Sequence, residues 1–254
     1  TLHQYFHDRY GKNPLYIANG AILRERRPAQ QIREWGLDAE NYILFLGRFS
    51  PEKNCHLLIE AYEKLDTCVK LVLAGGANPS DEYFQRLARH ASDRVRLLDY
   101  VSGDTFDELL TNAMFFVLPS DMEGLSLALL EAMGAGVCVL ASNIPENREL
   151  VEGAGFLFLP GDVVDLEEKL RLLIENPHLR QAAARSEKQR IRQEYLWQDI
   201  TSEIEHAYLE MMGWTPAKSP SAIENRTPQR SLPWRAKRPG SVAIPTAGNE
   251  KRTA

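Results

Sequence analysis

The sequence predicts an α/β domain built on a doubly wound parallel sheet, and three observations predict it. Six short runs rich in apolar residues, at 42–46, 69–74, 94–98, 114–118, 137–140 and 155–159, alternate with stretches that suit helices, several with apolar residues at helical spacing. Most of these runs are apolar throughout rather than alternating, the pattern of strands buried on both faces. Glycines, prolines and charged residues gather directly after several of the runs, at what would be the carboxyl ends of parallel strands, where open α/β sheets hold their ligands.

Taken in order, the first forty residues read as a helix over 1–10, a short strand over 15–18 and a tight turn at Asn19-Gly20. A charged linker surface, Arg24-Glu25-Arg26-Arg27-Pro28, comes next. The run at 42–46 then feeds Gly47-Arg48-Phe49-Ser50-Pro51-Glu52-Lys53-Asn54, after which Leu57, Leu58, Ala61, Tyr62 and Leu65 recur at helical spacing. Helix starts disfavour cations unless an anion is present. Arg48 and Lys53 stand at one, and a guanidinium with an ammonium can neutralise a diphosphate without a metal.

The run at 69–74 ends in Gly75-Gly76-Ala77-Asn78-Pro79, where glycines let the backbone turn tightly and approach a ligand. A helix is expected from about 80 to 91. The G-x-G-x-x-G spacing of a dinucleotide fingerprint is absent. After the run at 94–98 comes the loop Asp99-Tyr100-Val101-Ser102-Gly103 and then a helix over 105–112.

The run at 114–118 stops at Pro119, and the residues from Leu125 to Met133 are, but for one serine, strong helix formers closed by Gly134 and Gly136. Glu123 stands in the loop between and Glu131 inside the helix, so that both carboxylates can face one crevice. The amides of Gly124, Leu125, Ser126 and Leu127, unpaired at a helix start, make an anion site between them. Two carboxylates flanking a row of free amides suit a polyhydroxylated ligand with a phosphate in its middle.

A strand at 137–140, a short helix from Ile144 and a strand at 155–159 follow. Val163, Leu166, Leu170 and Leu173 mark an amphipathic helix, and Asn176-Pro177 breaks it. Ile200, Ile204, Ala207, Tyr208 and Met211 share one face of a last helix, which either crosses onto another domain or packs on its own sheet.

With 254 residues and 44% hydrophobic content, the chain has core enough for one large domain with appendages. No apolar run reaches the ~18 residues that span a bilayer, and no signal-peptide pattern opens the chain, so a cytoplasmic location is expected. Cys55, Cys68 and Cys138 are odd in number and widely spaced, which excludes a disulfide framework and a CxxC metal site. Residues 214–254 carry eight Lys and Arg against Glu224 and Glu250, with six prolines and no apolar periodicity. Such a tail is expected to be disordered, and its charge suits anionic lipid or an acidic partner as well as plain solvation.

Two stretches also resemble a known family. "GR-x-x-x-EKN" at 47–54 and "PS-x-x-EG-x-x-x-x-x-x-EAM-x-x-G" at 119–136 are similar to the motifs of retaining glycosyltransferases with the GT-B fold, family 4. The resemblance implies a Rossmann-like, C-terminal half of a GT-B fold: 1–40 as the end of the N-terminal domain and the linker, 41–195 as the nucleotide-sugar-binding domain, 196–213 as a crossover helix. It implies transfer with retention from a nucleotide-diphosphate sugar to a glycan, lipid or small-molecule acceptor. By the same resemblance Arg48 and Lys53 stabilise the departing diphosphate, Glu123 faces the sugar, and Glu131 binds the ribose. Gly47, Gly75, Val101 and the amides of Gly124 to Leu127 complete the donor site, and Tyr100 either stacks on the base or fills space. No Asp-x-Asp motif occurs, so no obligatory metal or other cofactor is expected, nor a nucleic-acid partner. A nucleotide-sugar-binding module without catalysis, and a GT-B-related epimerase, are the alternatives.

Overall fold

Five apolar residues in a row leave no side of a strand for water, and Tyr42–Leu46 (β1) is accordingly buried at every position in the middle of a six-stranded sheet. The computed structural model describes residues 2–76 and 78–214. Among them β1, β2 (Lys70–Ala74), β3 (Val95–Leu98), β4 (Phe115–Leu118), β5 (Val139–Ser142) and β6 (Phe156–Phe158) pair in the order β3-β2-β1-β4-β5-β6, all parallel. Leu44 is in register with Val72 on one side and Phe116 on the other. The edge strands β3 and β6 are only partly buried. The doubly wound sheet read from the sequence therefore forms, with its reversal of strand order between β1 and β4.

The described helices are α1 (Leu2–Tyr10), α2 (Cys55–Glu63), α3 (Glu82–Ala88), α4 (Gly103–Thr111), α5 (Leu127–Gly134), α6 (Pro145–Val151), α7 (Val163–Glu175), α8 (Pro177–Glu194) and α9 (Trp197–Met211). Parallel strands need right-handed crossovers, and these place helices on both faces of the sheet. Among these helices α7 packs against α2 and α8 against α5. Side chains fix several starts: Asp81 accepts from the amide of Tyr83 at 2.8 Å, and Asp162 from Val164 and Asp165 at 2.9 and 3.0 Å. The cap at Asp81 is why α3 begins at Glu82 rather than 80, and the helix ends at Ala88 rather than 91.

Three local expectations are corrected. Residues 15–18 form no strand; Leu15 and Tyr16 are exposed, and no described strand pairs with them. Asn19-Gly20 is not a turn but part of an irregular approach to Ala21, which makes an isolated parallel bridge with Leu196. Gly20 is required for another reason: a Cβ there would fall 2.8 Å from the Trp197 ring. Finally, β5 starts at Val139, because Val137 still closes α5 through its amide on the Ala132 carbonyl at 3.0 Å.

The segment read as a charged linker surface is bound closely to the sheet's helices. Ala21 donates to Tyr195 O at 2.6 Å and accepts from Trp197 N at 3.3 Å. Arg24 N reaches Gly134 O at 3.1 Å, and Lys188 Nζ donates to Arg24 O at 2.7 Å. Arg27 N donates to Thr111 Oγ1 of α4 at 3.1 Å, Asn112 Nδ2 at the end of α4 donates to Arg27 O at 2.9 Å, and the Glu108 carboxylate takes the amides of Gln30 and Ile32. Burial works against the charged form of Glu108, yet the amides of Ile32, Gln30 and Gln31 hold its carboxyl below the usual range. On α9 only Ile200 is buried, while Tyr208 and Met211 are exposed. Among the described residues no helix is long and apolar enough to cross a membrane. The stretch expected to be a disordered tail lies, from 215 onward, outside the described residues.

Candidate active site

The reversal point brings the loops after β1 and β4 together. After β1 the chain makes a short 3-10 turn, Pro51–Lys53, and then passes through Asn54 in the left-handed region at φ 51°. Asparagine tolerates that conformation better than other side-chain-bearing residues, and here its Nδ2 also donates to Pro119 O at 3.2 Å, tying the β1 loop to the end of β4. Asp121 N donates to Glu52 O at 2.9 Å, a second tie between the same loops. Between these ties Lys53 Nζ meets Glu123 Oε1 at 2.6 Å. Among the described residues Arg48 has only a loose partner, Glu52 Oε1 at 3.9 Å, and its side chain is 81% exposed. Glu52 itself is held below the ordinary carboxyl range, first by the Ser50 hydroxyl at 2.6 Å, with the Arg48 and Lys53 charges adding to it.

Gly47 and Gly75 lie at the same edge, and they face each other. A Cβ on Gly75 would fall 1.8 Å from the Gly47 carbonyl oxygen, so the close approach that requires glycine here is backbone to backbone. Gly47 N to Ala74 O at 3.1 Å and Phe49 N to Gly76 O at 3.2 Å keep the two loops in step. Val101 is half-buried in the loop after β3, beside the exposed Tyr100.

Helix α5 begins at Leu127, two residues later than its composition suggests, because Ser126 is its N-cap and accepts from Leu129 N at 3.4 Å. No described residue accepts from the amides of Gly124, Leu125, Ser126 and Leu127. A row of donors of this kind, with the positive end of a helix behind it, is suited to an anion.

Each of the two glutamates holds its own cation. Glu123 pairs with Lys53, whereas Glu131 Oε2 accepts from Arg24 Nη1, 107 residues away in sequence. Arg24 Nε also donates to Asp107 Oδ1 at 2.7 Å. Burial pushes the Glu131 carboxyl up, the Arg24 charge pulls it back, and Asp107 adds to the rise. Neither Arg24 nor Asp107 was anticipated as part of a site. Beneath the β4 loop, Ser142 Oγ donates to Ser120 O, and Asn147 Nδ2 donates to Ser142 Oγ at 3.0 Å. That buried polar layer fixes the end of β4 from behind.

Comparison with known proteins is consistent with this geometry. Residues 29–190 match the family described as glycosyl transferases group 1. The chain is 29% identical over 192 residues to the O-antigen chain mannosyltransferase B of Escherichia coli, covering 72% of this chain and 50% of that protein. It is 27% identical over 229 residues to a sulfoquinovosyl transferase of Arabidopsis thaliana, covering 78% and 44%. The chain thus spans about half the length of these relatives. Among solved structures, HepE of Anabaena in complex with UDP-glucose aligns with a TM-score of 0.74 at 22% identity, over 82% of this chain and 61% of that one. At that identity the likeness speaks to the fold, which is that of the GT-B neighbours.

Proposed function

The chain belongs to the glycosyl transferases of group 1, and from that premise we propose that it is the donor-binding half of an enzyme that moves a sugar, with retention of configuration, from a nucleotide-diphosphate sugar to an acceptor. The observation that carries this reading is the Lys53–Glu123 pair at the reversal point of the sheet, flanked by the exposed Arg48 and the free amides of Gly124 to Leu127. In this reading the amides, Arg48 and Lys53 hold the diphosphate. As the bond between sugar and phosphate breaks, charge builds on the departing diphosphate, and these groups are already aimed at it. Glu123 accepts from hydroxyls of the transferred sugar, and Glu131 from those of the ribose. The loop carrying Val101 meets the base. Cations and amides supply the positive charge a diphosphate needs, so the binding step requires no divalent ion. The acceptor, a glycan, a lipid or a small molecule, approaches from the solvent side of Glu123.

Calorimetric titration of the chain with UDP, GDP and ADP, each with and without EDTA, tests this reading. One of the three should bind saturably, with an affinity that the chelator leaves unchanged. No binding by any of them would overturn the donor site; binding that collapses with EDTA would overturn metal independence. A second reading, nucleotide-sugar binding without transfer, draws on the fact that the chain spans about half of its relatives. Release of nucleoside diphosphate from a bound donor separates the two.

A further inference from the structure

Glu131 is not a free carboxylate, and the residue that holds it is itself held on every side. Arg24 donates from Nη1 to Glu131 Oε2 and from Nε to Asp107 Oδ1, and its guanidinium lies 5.6 Å from the centre of the Phe106 ring. Its backbone is tied as well, at N to Gly134 O and at O by Lys188 Nζ. Gly134 is where this approach is closest, since a Cβ there would meet Ile22 O at 2.5 Å. A side chain anchored at two nitrogens and over a ring, on a backbone anchored at both polar groups, is a mount rather than a movable latch. The guanidinium is also planar and rigid, so a carboxylate seated on it is fixed in direction as well as place.

Glu131 Oε1, by contrast, accepts from no described residue. One oxygen is committed to the arginine and the other is free to accept from hydroxyl groups. Resting on the reading that Glu131 meets the ribose of the donor, we propose that Arg24 is a positioning residue: it turns Glu131 so that Oε1 faces the ribose hydroxyls, and it thereby sets the preference of the site for ribonucleotides over deoxyribonucleotides. Arg24 from the linker and Asp107 from α4 are the charged groups that face Glu131, and they act in opposite directions. Without Arg24, burial and the Asp107 charge both favour the protonated carboxyl, which has less capacity to accept from a pair of hydroxyls.

The test compares UDP, GDP and ADP with their 2′-deoxy counterparts on the wild-type chain, on Arg24→Met and on Arg24→Lys, by calorimetry over a range of pH, with a melting curve for each variant. The wild type should favour the ribonucleotide by about tenfold or more. Arg24→Met should bring that ratio towards one and move the acid limb of ribonucleotide binding to higher pH. Arg24→Lys keeps the charge but loses the fork, so it should leave the acid limb near its wild-type position while lowering the ratio. A purely structural role would weaken both nucleotides equally, and an unchanged ratio in Arg24→Met overturns the proposal. If that variant does not fold, an unchanged ratio in Arg24→Lys overturns it equally. Failure of the wild type to bind any of the three ribonucleotides would overturn the donor-site reading itself, a different result from binding with an unaltered ratio.

Discussion

Lys53 Nζ sits 2.6 Å from Glu123 Oε1, with the two side chains 18% and 9% exposed, whereas Arg48 a few residues earlier stands in solvent. The two cations should therefore answer differently to the same substitution. Lys53→Ala and Arg48→Ala should each weaken a nucleoside diphosphate by about 1.5–3 kcal/mol while barely changing the bare nucleoside. Only Lys53→Ala should also lower stability, on the order of 3 kcal/mol, because it strands Glu123 without its partner. Arg48→Ala should stay within about 0.5 kcal/mol of the wild type. Titration and melting curves check both halves, and equal losses for nucleoside and nucleoside diphosphate would show that these cations do not meet phosphate.

Gly75 and Gly76 are neighbours with opposite demands. A Cβ on Gly75 would strike the Gly47 carbonyl, and one on Gly76 meets nothing within 4 Å. Gly75→Ala should cost at least the upper end of the roughly 1–3 kcal/mol seen for overpacking, and should displace the loop that carries Arg48. Gly76→Ala should fold as the wild type does. Chemical denaturation of the two variants decides it: equal stabilities would mean that the β1 and β2 loops can part freely.

A buried acid sets a pH dependence of folding. Glu187 is fully buried, accepts from Val139 N at 3.1 Å through Oε1, and has no described partner for Oε2. Burial pushes its carboxyl well above 4.5, and the Val139 bond only partly opposes the rise. The folded chain thus keeps a proton that the unfolded chain releases, so this group's contribution is full below the unfolded pKa and is lost as pH rises towards the folded one. The slope in that window is about 1.4 kcal/mol per pH unit. Glu187→Gln removes the proton without changing the shape. It should leave stability unchanged near pH 4 and raise it at pH 8, measured by urea unfolding at both. A variant no more stable than the wild type at pH 8 would refute the assignment.

On its own, the 254-residue chain should bind its donor but turn it over slowly. Holding two reactants in contact is worth up to roughly 7–11 kcal/mol of barrier, and Arg48, in the loop that carries Lys53, faces open solvent. A coupled assay for released nucleoside diphosphate, run across glycan, lipid and small-molecule acceptors, should show turnover far below what a closed site gives. Rapid transfer would place the acceptor site within these residues.

The central strands were legible because runs such as 42–46 and 114–118 are apolar at every position, a pattern that parallel strands under two layers of helix require. The run at 137–140 misled by two residues because Val137 is apolar for the sake of closing a helix. Leu15 to Ala18 has a strand's composition but pairs with no described strand, something only tertiary structure can decide. At the candidate site, Lys53 and Glu123 were named from their motifs, and the structure pairs them. Arg24 was not, since in sequence it belongs to a run of charges that reads as solvated surface, and its partners Asp107 and Glu131 lie far along the chain.

The bridge between Ala21 and Leu196 makes the stretch between them a closed circuit: the chain enters and leaves the sheet side by side, locked by two bonds and by the bare Cα of Gly20 under Trp197. A unit whose ends coincide can be cut out, rejoined in a new order or spliced into a loop of another protein without stretching its interior. Residues 20–197, which carry both bonds and the Gly20–Trp197 contact, are in that sense portable. A circular permutant that links 197 back to 20 and opens elsewhere should keep the whole of the crevice, with Arg24 still on its mount.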